Sequence, residues 1–428
     1  MKWAIYNALF LAVYPFLLPG FLYRMFKRGG YAARMGDRFA LYPEKILKKF
    51  ASPRLKRPVW IHAVSVGEVQ VAGQLMREWR MAEPDVEFCF STTSSTGWKM
   101  AERELSGNDT LIYNPLDFPT FVTAAIKTVR PRAIVLTESE IWPNFIRRAA
   151  KSSIPVFLIN ARVSDRSAPR YRMARFFFKD VFGLFSRIFA QSNLDKERLV
   201  AAGAPARAVE NTGSFKFDVA RRNPEKEAQM REWIGVQEGE KLILGASTWP
   251  GEDALLLDIF SRLLGQALPV KPVLAIAPRH FEKADAVEEN IVKHGFSCVR
   301  RSRGDKAEAG SKSVFLADTT GELMGLCGAA DIVFVGKSLC AHGSQNMIEP
   351  CCCGKPTVVG PYTENFRPVM SDLLSSEAIV QVLGKDELEQ KINELFLDDG
   401  GLGRRAEEAV MRRRGVVAKC VSAIRSSL

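Results

Sequence analysis

The chain has 428 residues, 47% hydrophobic and 25% charged, which excludes a disordered chain, a collagen, a coiled-coil rod and a polytopic membrane protein. Sixty Lys and Arg against 48 Asp and Glu leave a net charge of +12. A surplus of this size favours a polyanionic partner: a nucleic acid, an acidic membrane surface or a phosphorylated substrate.

The first element in chain order is an apolar segment. Residues 3–23 carry no charge and are long enough to span the hydrocarbon core of a bilayer as a helix. No small-residue cleavage site follows, which disfavours a signal peptide. We therefore predict a membrane anchor over residues 1–28. Pro15 and Pro19 would kink a helix, so the segment fits a tilted or monotopic anchor as well as a full span.

Basic residues flank this segment. They are Lys2, Arg24, Lys27 and Arg28. Cationic flanks stay on the cytoplasmic side of a membrane, so we expect the body of the protein there. Anionic headgroups would contact the same cluster.

Two sets of β-rich runs follow. The first set comprises residues 59–66, 88–93, 133–138, 155–161 and 188–192. The second comprises residues 241–247, 272–278, 313–318, 331–336 and 356–361. A polar stretch over residues 218–240 separates the sets. Segments with helical spacing, such as residues 68–80, lie between the runs, and residues 402–428 form a basic amphipathic pattern typical of a helix.

Alternating strands and helices predict parallel sheets, so the fold class is α/β with two Rossmann-like domains. We place the first domain at residues 29–218 and the second, with the C-terminal helix, at residues 219–428. The chain lacks both G-x-G-x-x-G after a strand and G-x-x-x-x-G-K-[ST], which disfavours dinucleotide binding and a P-loop NTPase. Cysteines and histidines show no zinc-ligand spacing, so we predict no metal site.

Two strand ends of the first half, and the junction between the halves, carry candidate catalytic residues. Glu68 follows the first strand, where a carboxylate can take a proton from an attacking hydroxyl; complementing the helix dipole is the alternative. Glu138 and Glu140 bracket Ser139 and would share a face in extended conformation, where they could hold sugar hydroxyls; Glu140 could instead cap the next helix. Lys216 can stabilise a leaving phosphate, or be a solvated lysine.

The second half offers groups suited to a phosphorylated nucleotide. Arg279 can bind phosphate through two hydrogen bonds, and neighbouring His280 fits a structural role better than a catalytic one. The loop over residues 336–345 leads towards a helix that starts near Asn346, so its backbone N–H groups can face a phosphate. Glu349 can accept two hydrogen bonds from a ribose diol. This combination is typical of nucleotide-sugar chemistry.

The segment over residues 161–180 is basic, with aromatic residues between the charges. Such a composition is compatible with a nucleic-acid surface. Because an apolar N-terminal segment is also present, a surface for a phosphorylated lipid beside a bilayer fits better. A solvated helix face is the remaining alternative.

Several of these segments together resemble the 3-deoxy-D-manno-octulosonic acid (Kdo) transferases of lipopolysaccharide assembly. The segments are HAVSVGEV, ESEIWPN, INARVSDRS, TGSFKFD, PRH, TGEL and FVGKSL followed by N-x-x-EP. The resemblance covers nearly the whole chain. It implies a GT-B fold, with two Rossmann-like domains facing a central cleft, and a place at the cytoplasmic face of the inner membrane.

The resemblance also implies a reaction and residue roles. The reaction is inverting transfer of Kdo from CMP-Kdo to a lipid A precursor such as lipid IVA, without a metal, a further cofactor or a nucleic-acid partner. Glu68 would be the general base, and Glu138 and Lys216 would stabilise the transition state. CMP would be held by Pro278, Arg279, Thr320, Gly321, Glu322, Asn346, Met347, Ile348 and Glu349.

The chain departs from the family pattern in two places. Gly336-Lys337 replaces a Gly-Gly pair, and Gly343-Ser344-Gln345-Asn346 replaces Gly-Gly-His-Asn. Lys337 would either add a phosphate contact or crowd the loop. Two other function classes remain open: a different GT-B nucleotide-sugar enzyme, such as another glycosyltransferase or an epimerase, and a membrane-attached binding protein without catalysis.

Overall fold

In the computed structural model, residues 2–28, 32–52, 56–307 and 312–428 are described, and side chains are described for these except residues 14, 15, 17–19, 21–28, 32 and 33. The chain divides into two compact units. Unit 1 contains residues up to Val219 together with Gly415–Leu428, and unit 2 is Ala220–Arg414.

Unit 1 is built on a seven-stranded sheet in which every described strand pairing is parallel. Its strands are β1 (Val59–His62), β2 (Phe88–Thr92), β3 (Thr110–Tyr113), β4 (Ala133–Thr137), β5 (Val156–Ala161), β6 (Arg187–Ala190) and β7 (Val209–Asn211). The strand order is β3-β2-β1-β4-β5-β6-β7. The order reverses between β1 and β4, which is the topological switch point where ligands of open α/β sheets bind.

Helices cover both faces of this sheet. They are α1 (Lys2–Arg28), α2 (Glu44–Ala51), α3 (Val66–Ala82), α4 (Ser95–Glu104), α5 (Pro119–Val129), α6 (Pro143–Lys151), α7 (Ala168–Met173), α8 (Arg175–Phe182), α9 (Asn193–Ala201), α10 (Lys216–Val219) and α19 (Val416–Arg425). Successive residues of β1 alternate between the two apolar cores, with Trp60 in one and Ile61 in the other. This alternation is the period-two pattern of a strand buried on both faces.

Unit 2 repeats the architecture. Its strands are β8 (Glu240–Thr248), β9 (Lys271–Pro278), β10 (Ser297–Arg300), β11 (Ser313–Leu316), β12 (Ile332–Val335), β13 (Thr357–Val359) and β14 (Val380–Gln381). They form a parallel sheet in the order β10-β11-β9-β8-β12-β13-β14, with a switch point between β8 and β12. Its helices are α11 (Pro224–Ile234), α12 (Glu252–Leu264), α13 (Ala284–Lys293), α14 (Leu323–Ala329), α15 (Ile348–Cys352), α16 (Arg367–Ser375), α17 (Lys385–Leu397) and α18 (Leu402–Met411).

The two predicted sets of strands are confirmed, and four short strands were missed: β3, β7, β10 and β14. The predicted single C-terminal helix is wrong. Gly415 adopts φ +87°, which ends the preceding segment and starts α19. The Asp218 carboxylate accepts hydrogen bonds from the backbone N–H groups of Gly415 and Val417, so α19 belongs to unit 1 rather than to the second domain.

The N-terminal segment is one helix, α1, but the prediction of a membrane-spanning anchor is not supported. No helix in the described part of the chain has both the length and the hydropathy needed to cross a membrane. The first turns of α1 pack on unit 1 instead. The Tyr6 hydroxyl donates to Asp117 Oδ2 at 2.8 Å, and the ring of Trp3 contacts Phe177 edge-on. The predicted basic flank at Arg24, Lys27 and Arg28 falls outside the described side chains.

Candidate active site

The segment after β1 holds Glu68 in place at the switch point of unit 1. Ser65 caps α3: its hydroxyl oxygen accepts from the Glu68 N–H at 3.3 Å, and the hydroxyl donates to Glu68 Oε1 at 2.8 Å. Glu68 Oε2 accepts from the Val64 N–H and from the Thr137 hydroxyl, each at 3.0 Å. This arrangement closely resembles a helix capping box. Glu68 therefore stabilises the start of α3, and its half-buried carboxylate also lies beside the end of β4.

Glu138 follows β4 in a strained backbone conformation. Its φ is +48°, in the left-handed region that a glutamate rarely adopts, and Asn160 in β5 has φ +51°, which asparagine tolerates better. Such strain is concentrated at functional sites. Asn160 Nδ2 donates to Glu138 Oε1 at 3.1 Å, and Asn160 Oδ1 accepts from the Phe215 N–H at 3.1 Å. Asn160 thus ties Glu138 to the segment that carries Lys216.

Lys216 and Glu138 form a charged pair whose protonation is shifted by burial. Burial raises the pKa of the Glu138 carboxyl, and nearby Glu68 adds to the shift, while Lys216 and Arg162 oppose it. Burial lowers the pKa of the Lys216 amine, Arg162 adds to the shift, and Glu138 opposes it. The structure therefore brings the three predicted catalytic residues together at one edge of one sheet. Opposed pKa shifts of this kind are typical of catalytic sites.

Glu140 has a different role from the one expected. The left-handed backbone at Glu138 means that the two carboxylates do not share an extended face. Glu140 Oε2 accepts from Trp142 Nε1 at 2.9 Å and lies 3.5 Å from Nε2 of the fully buried His62. Burial raises the pKa of Glu140, but the contacts with His62 and Trp142 outweigh it and lower the pKa overall.

In unit 2, three of the predicted nucleotide-binding residues lie together. Asn346 Nδ2 donates to Glu349 Oε1 at 2.9 Å. Burial raises the pKa of Glu349, while that hydrogen bond and the charge of Arg279 oppose the shift. Arg279 is exposed at the end of β9, where Pro278 is half-buried. A cation, an amide and a carboxylate are therefore close to one another at this edge.

The other predicted nucleotide-binding residues fall into two groups. Thr320 and Gly321 are exposed in the loop after β11, and the Glu322 carboxylate pairs with the Arg301 guanidinium at 2.9 Å. The side chains of Met347 and Ile348 are fully buried in the core of unit 2, so only their backbone groups are placed to meet a ligand. The helix expected near Asn346, α15, has only five residues and offers a weak dipole.

Glu252, Trp249 and Lys337 also lie at the carboxyl end of the unit 2 sheet, and among them only Lys337 was considered from the sequence. Glu252 is fully buried at the start of α12 and contacts the loop after β12. Lys337 has φ +55°, and its Nζ lies 4.8 Å from the centroid of the Trp249 ring. The sequence did offer one signal for Glu252, which is an acidic residue that follows a glycine four positions after the end of β8. Nothing local in the sequence points to Trp249.

Comparisons with solved structures show which known folds the two units resemble. A glycosyltransferase from Rickettsia africae matches with a TM-score of 0.59 at 14% identity, covering 86% of this chain and 97% of that chain. UDP-GlcNAc 2-epimerase from Neisseria meningitidis, bound to UDP-GlcNAc, matches with a TM-score of 0.58 at 14% identity, covering 85% and 100%. At this identity the likeness shows the fold alone: two parallel α/β units that resemble those of GT-B glycosyltransferases.

Comparisons of sequence identify the family. The family model for 3-Deoxy-D-manno-octulosonic-acid transferase (kdotransferase) matches residues 33–219. A 3-deoxy-D-manno-octulosonic acid transferase of Bordetella pertussis is 33% identical over 336 residues, covering 76% of each chain. That of Haemophilus influenzae is 29% identical over 428 residues, covering 99% of this chain and 98% of the relative. The chain belongs to the Kdo transferase family and is a glycosyltransferase of lipopolysaccharide biosynthesis.

Proposed function

We propose that this protein transfers Kdo from CMP-Kdo to a lipid A precursor, with inversion at the anomeric carbon. The observation that carries the proposal is the cluster at the unit 1 switch point. There a carboxylate fixed by three hydrogen bonds, Glu68, lies within electrostatic range of Glu138, which interacts with Lys216. The family relationship supplies the identity of the sugar.

In the proposed reaction Glu68 is the general base. The proton of a lipid hydroxyl passes to the Glu68 carboxylate, and the freed oxygen attacks the anomeric carbon from the face opposite CMP. The new C–O bond forms as the bond from that carbon to the phosphate oxygen breaks, and CMP leaves. Hydrogen bonds from Ser65, Val64 and Thr137 hold the carboxylate at a defined position for this step.

Glu138 and Lys216 act as a unit in this proposal. Lys216 stabilises negative charge on the leaving phosphate, and because Lys216 is half-buried, this interaction is screened less by water than that of an exposed lysine. Glu138 keeps Lys216 protonated, since its charge raises the pKa that burial lowers. In this proposal Lys216 offsets the developing charge, and the reaction uses no resident metal or cofactor.

We propose that the donor binds at the carboxyl ends of the unit 2 strands. Arg279 contacts the phosphate, and Glu349, oriented by Asn346, accepts hydrogen bonds from the ribose hydroxyls. The backbone at Pro278, at Met347 and Ile348, and at the exposed loop of Thr320 and Gly321 completes the site. Glu322 contributes by holding Arg301 beside that loop.

We further propose that unit 1 binds the cytoplasmic surface of the inner membrane. The outward side of α1 and the segment around α7 and α8 expose large apolar side chains, which are Ile5, Leu9, Leu11, Val13, Phe16, Met173 and Phe176. Exposed basic residues, Arg170, Arg172, Arg175 and Lys179, accompany them. Tyr171, Phe177 and Phe178 pack inward, so they are not displayed for stacking on nucleic-acid bases. Apolar insertion combined with cationic attraction is the physical basis of interfacial membrane binding.

The test of the proposed function is an assay of the full chain in detergent with CMP-Kdo and a lipid A precursor, beside Glu68→Ala. We expect CMP release and a gain of one or more Kdo units on the lipid, both lost in the variant. CMP release without a modified lipid would contradict the acceptor. Absence of both turnover and CMP binding would contradict the donor.

A further inference from the structure

A carboxylate outside the proposed catalytic cluster is enclosed by backbone amides. Glu252, the first residue of α12, has 0% exposed surface. Its Oε2 accepts from the N–H groups of Trp249 at 2.8 Å and Lys337 at 2.7 Å. Its Oε1 accepts from Ser338 at 3.1 Å, Leu339 at 3.0 Å and Cys340 at 3.3 Å.

The five donors come from both sides of the unit 2 switch point. Trp249 follows β8, and residues 337–340 follow β12, the strand that pairs with β8 on the other side of the switch point. Successive N–H groups that converge on one anion form a nest, the arrangement that proteins use for phosphates. Here the anion is the protein's own carboxylate. All of the roughly four lone-pair positions of the Glu252 carboxylate accept hydrogen bonds.

This contact changes the expected role of the loop over residues 336–345. The sequence predicted that its backbone N–H groups would face a phosphate, but the amides of residues 337–340 point at Glu252. They are therefore unavailable to a ligand. What the loop presents outward is side-chain charge: Lys337 Nζ lies over the Trp249 ring.

The same loop leads directly to the donor-binding residues. The Ser344 N–H donates to the Lys337 carbonyl at 2.7 Å, and the Gln345 N–H donates to the Gly336 carbonyl at 3.1 Å. These bonds close the loop immediately before Asn346. The backbone packs so closely at Gly336 that no larger residue fits there. A Cβ at this position would lie 2.5 Å from the Ser247 carbonyl oxygen and 2.8 Å from Glu252 Oε2.

We propose that Glu252 is a positioning residue for donor binding: its carboxylate fixes the loop of residues 336–345 and thereby places Lys337, Asn346 and Glu349 for the nucleotide. The identity of the nucleotide as CMP rests on the proposed function. Without the carboxylate, five backbone N–H groups lose their acceptor, and the loop leaves the shape that binds the nucleotide.

The experiment measures CMP binding by calorimetry and amide hydrogen exchange of residues 337–340 in the full chain. Glu252→Gln is compared with Asp253→Asn, a matched control. Asp253 is also buried in the first turn of α12, but its carboxylate accepts from the Gly251 N–H and from Asn290 Nδ2 rather than from the loop.

We expect Glu252→Gln to weaken CMP binding by about tenfold or more, because hydrogen bonds to a charged group are lost. It should also raise the KM for the donor, leave the KM for the lipid unchanged and speed exchange at residues 337–340. Asp253→Asn should change none of these.

Glu252→Asp keeps the charge but withdraws it by one methylene group, so we expect a smaller loss of CMP affinity than for Glu252→Gln. This variant serves as the test if Glu252→Gln does not fold. Unchanged CMP affinity in a folded Glu252 variant, or protection at residues 337–340 equal to wild type, would overturn the inference. If the wild type itself bound no CMP while the variant lost protection, the proposed donor would fail and the role of Glu252 in holding the loop would stand.

Discussion

The switch points of the two units each carry a carboxylate, half-buried Glu138 in unit 1 and fully buried Glu252 in unit 2, but the groups around these carboxylates differ. In unit 1, Glu138 interacts with Lys216, Arg162 and Glu68, all of them ionisable side chains. In unit 2, Glu252 contacts only backbone N–H groups among its hydrogen-bond partners in the described structure. A carboxylate among ionisable groups responds to a change of charge nearby, whereas a carboxylate in an amide nest fixes a shape.

This difference agrees with the proposed function, in which unit 1 carries out the chemical step and unit 2 binds the nucleotide. Charge changes during glycosyl transfer, so the chemical step needs groups whose protonation can respond, and in the proposed function unit 1 supplies them. Binding a nucleotide needs a preformed surface, and the closed loop of unit 2 supplies it. Substitutions in unit 1 should therefore change kcat and its pH dependence, while substitutions in unit 2 should change donor affinity.

The largest expected effect is that of Glu68→Gln. Loss of the general base should lower kcat by about 10² to 10⁴. CMP affinity should stay at the wild-type value, since the nucleotide residues are in unit 2. Steady-state kinetics and calorimetry measure the two quantities. Glu78→Gln, the same chemical change in the same helix α3, is the control and should leave kcat unaltered. A tenfold loss of CMP affinity in Glu68→Gln would contradict the division between the units.

A second prediction concerns Lys216. Lys216→Met should lower kcat by about 10² to 10³, because the cation facing the leaving phosphate is gone. In Glu138→Gln the charge that raises the pKa of Lys216 is absent, so this pKa falls further below its usual value. Lys216 then loses its proton at lower pH, and the alkaline limb of the kcat profile should move to lower pH. A limb at its wild-type position would show that Lys216 is not the titrating group.

A third prediction concerns the contact between α1 and the rest of unit 1. Burial raises the pKa of Asp117 to about 7, although N–H groups of Asn144 and Phe145 and the hydroxyl of Tyr6 oppose the shift. The folded chain therefore holds a proton on Asp117 that the unfolded chain releases near pH 4. The stability that this proton contributes is complete below pH 4 and is lost as the pH rises through 7.

Urea unfolding at several pH values tests this prediction. Relative to Asp117→Asn, the wild-type free energy of unfolding should fall by about 4 kcal/mol between pH 4 and pH 8. In Tyr6→Phe a hydrogen bond that lowers the pKa of Asp117 is missing, so the fall should extend to higher pH. Parallel stability curves for wild type and Asp117→Asn would contradict the raised pKa.

Much of the fold and of the unit 1 site could be predicted from the sequence because buried parallel strands are continuous apolar runs. Glu68 and Glu138 each follow such a run, and because the carboxyl ends of parallel strands share one sheet edge, the two residues meet there. The four missed strands are the edge strands of the two sheets, where polar residues such as Glu210 and Asn211 of β7 interrupt the apolar run. The left-handed backbone at Glu138 could not be predicted either, because it depends on the packing of Asn160 from β5.

The unit 2 loop was mispredicted for a related reason. A loop rich in Gly and Ser before a helix has the composition of a phosphate-binding loop, and composition does not reveal which anion its amides contact. Glu252 lies 85 residues before Lys337 in the chain, and only the pairing of β8 with β12 brings them together. Similarly, α1 has the composition of an anchor, yet Tyr6 and Trp3 are used in packing against unit 1.

The smallest expected effect is that of Lys337→Gly, which restores the Gly-Gly pair usual in the family. Lys337 has φ +55°, a conformation that costs a non-glycine residue about 1 kcal/mol or more. Glycine relieves this strain but gains entropy in the unfolded chain, so the free energy of unfolding should rise by about 1 kcal/mol at most.

The Lys337→Gly variant also loses the cation that lies over Trp249 beside the proposed donor site. We expect CMP affinity to fall by about threefold, in keeping with the small value of an exposed charge contact. Thermal unfolding and calorimetry on the same preparation separate the two effects. A rise in CMP affinity would mean that Lys337 obstructs the nucleotide, and the outward charge of the loop would then limit binding rather than support it.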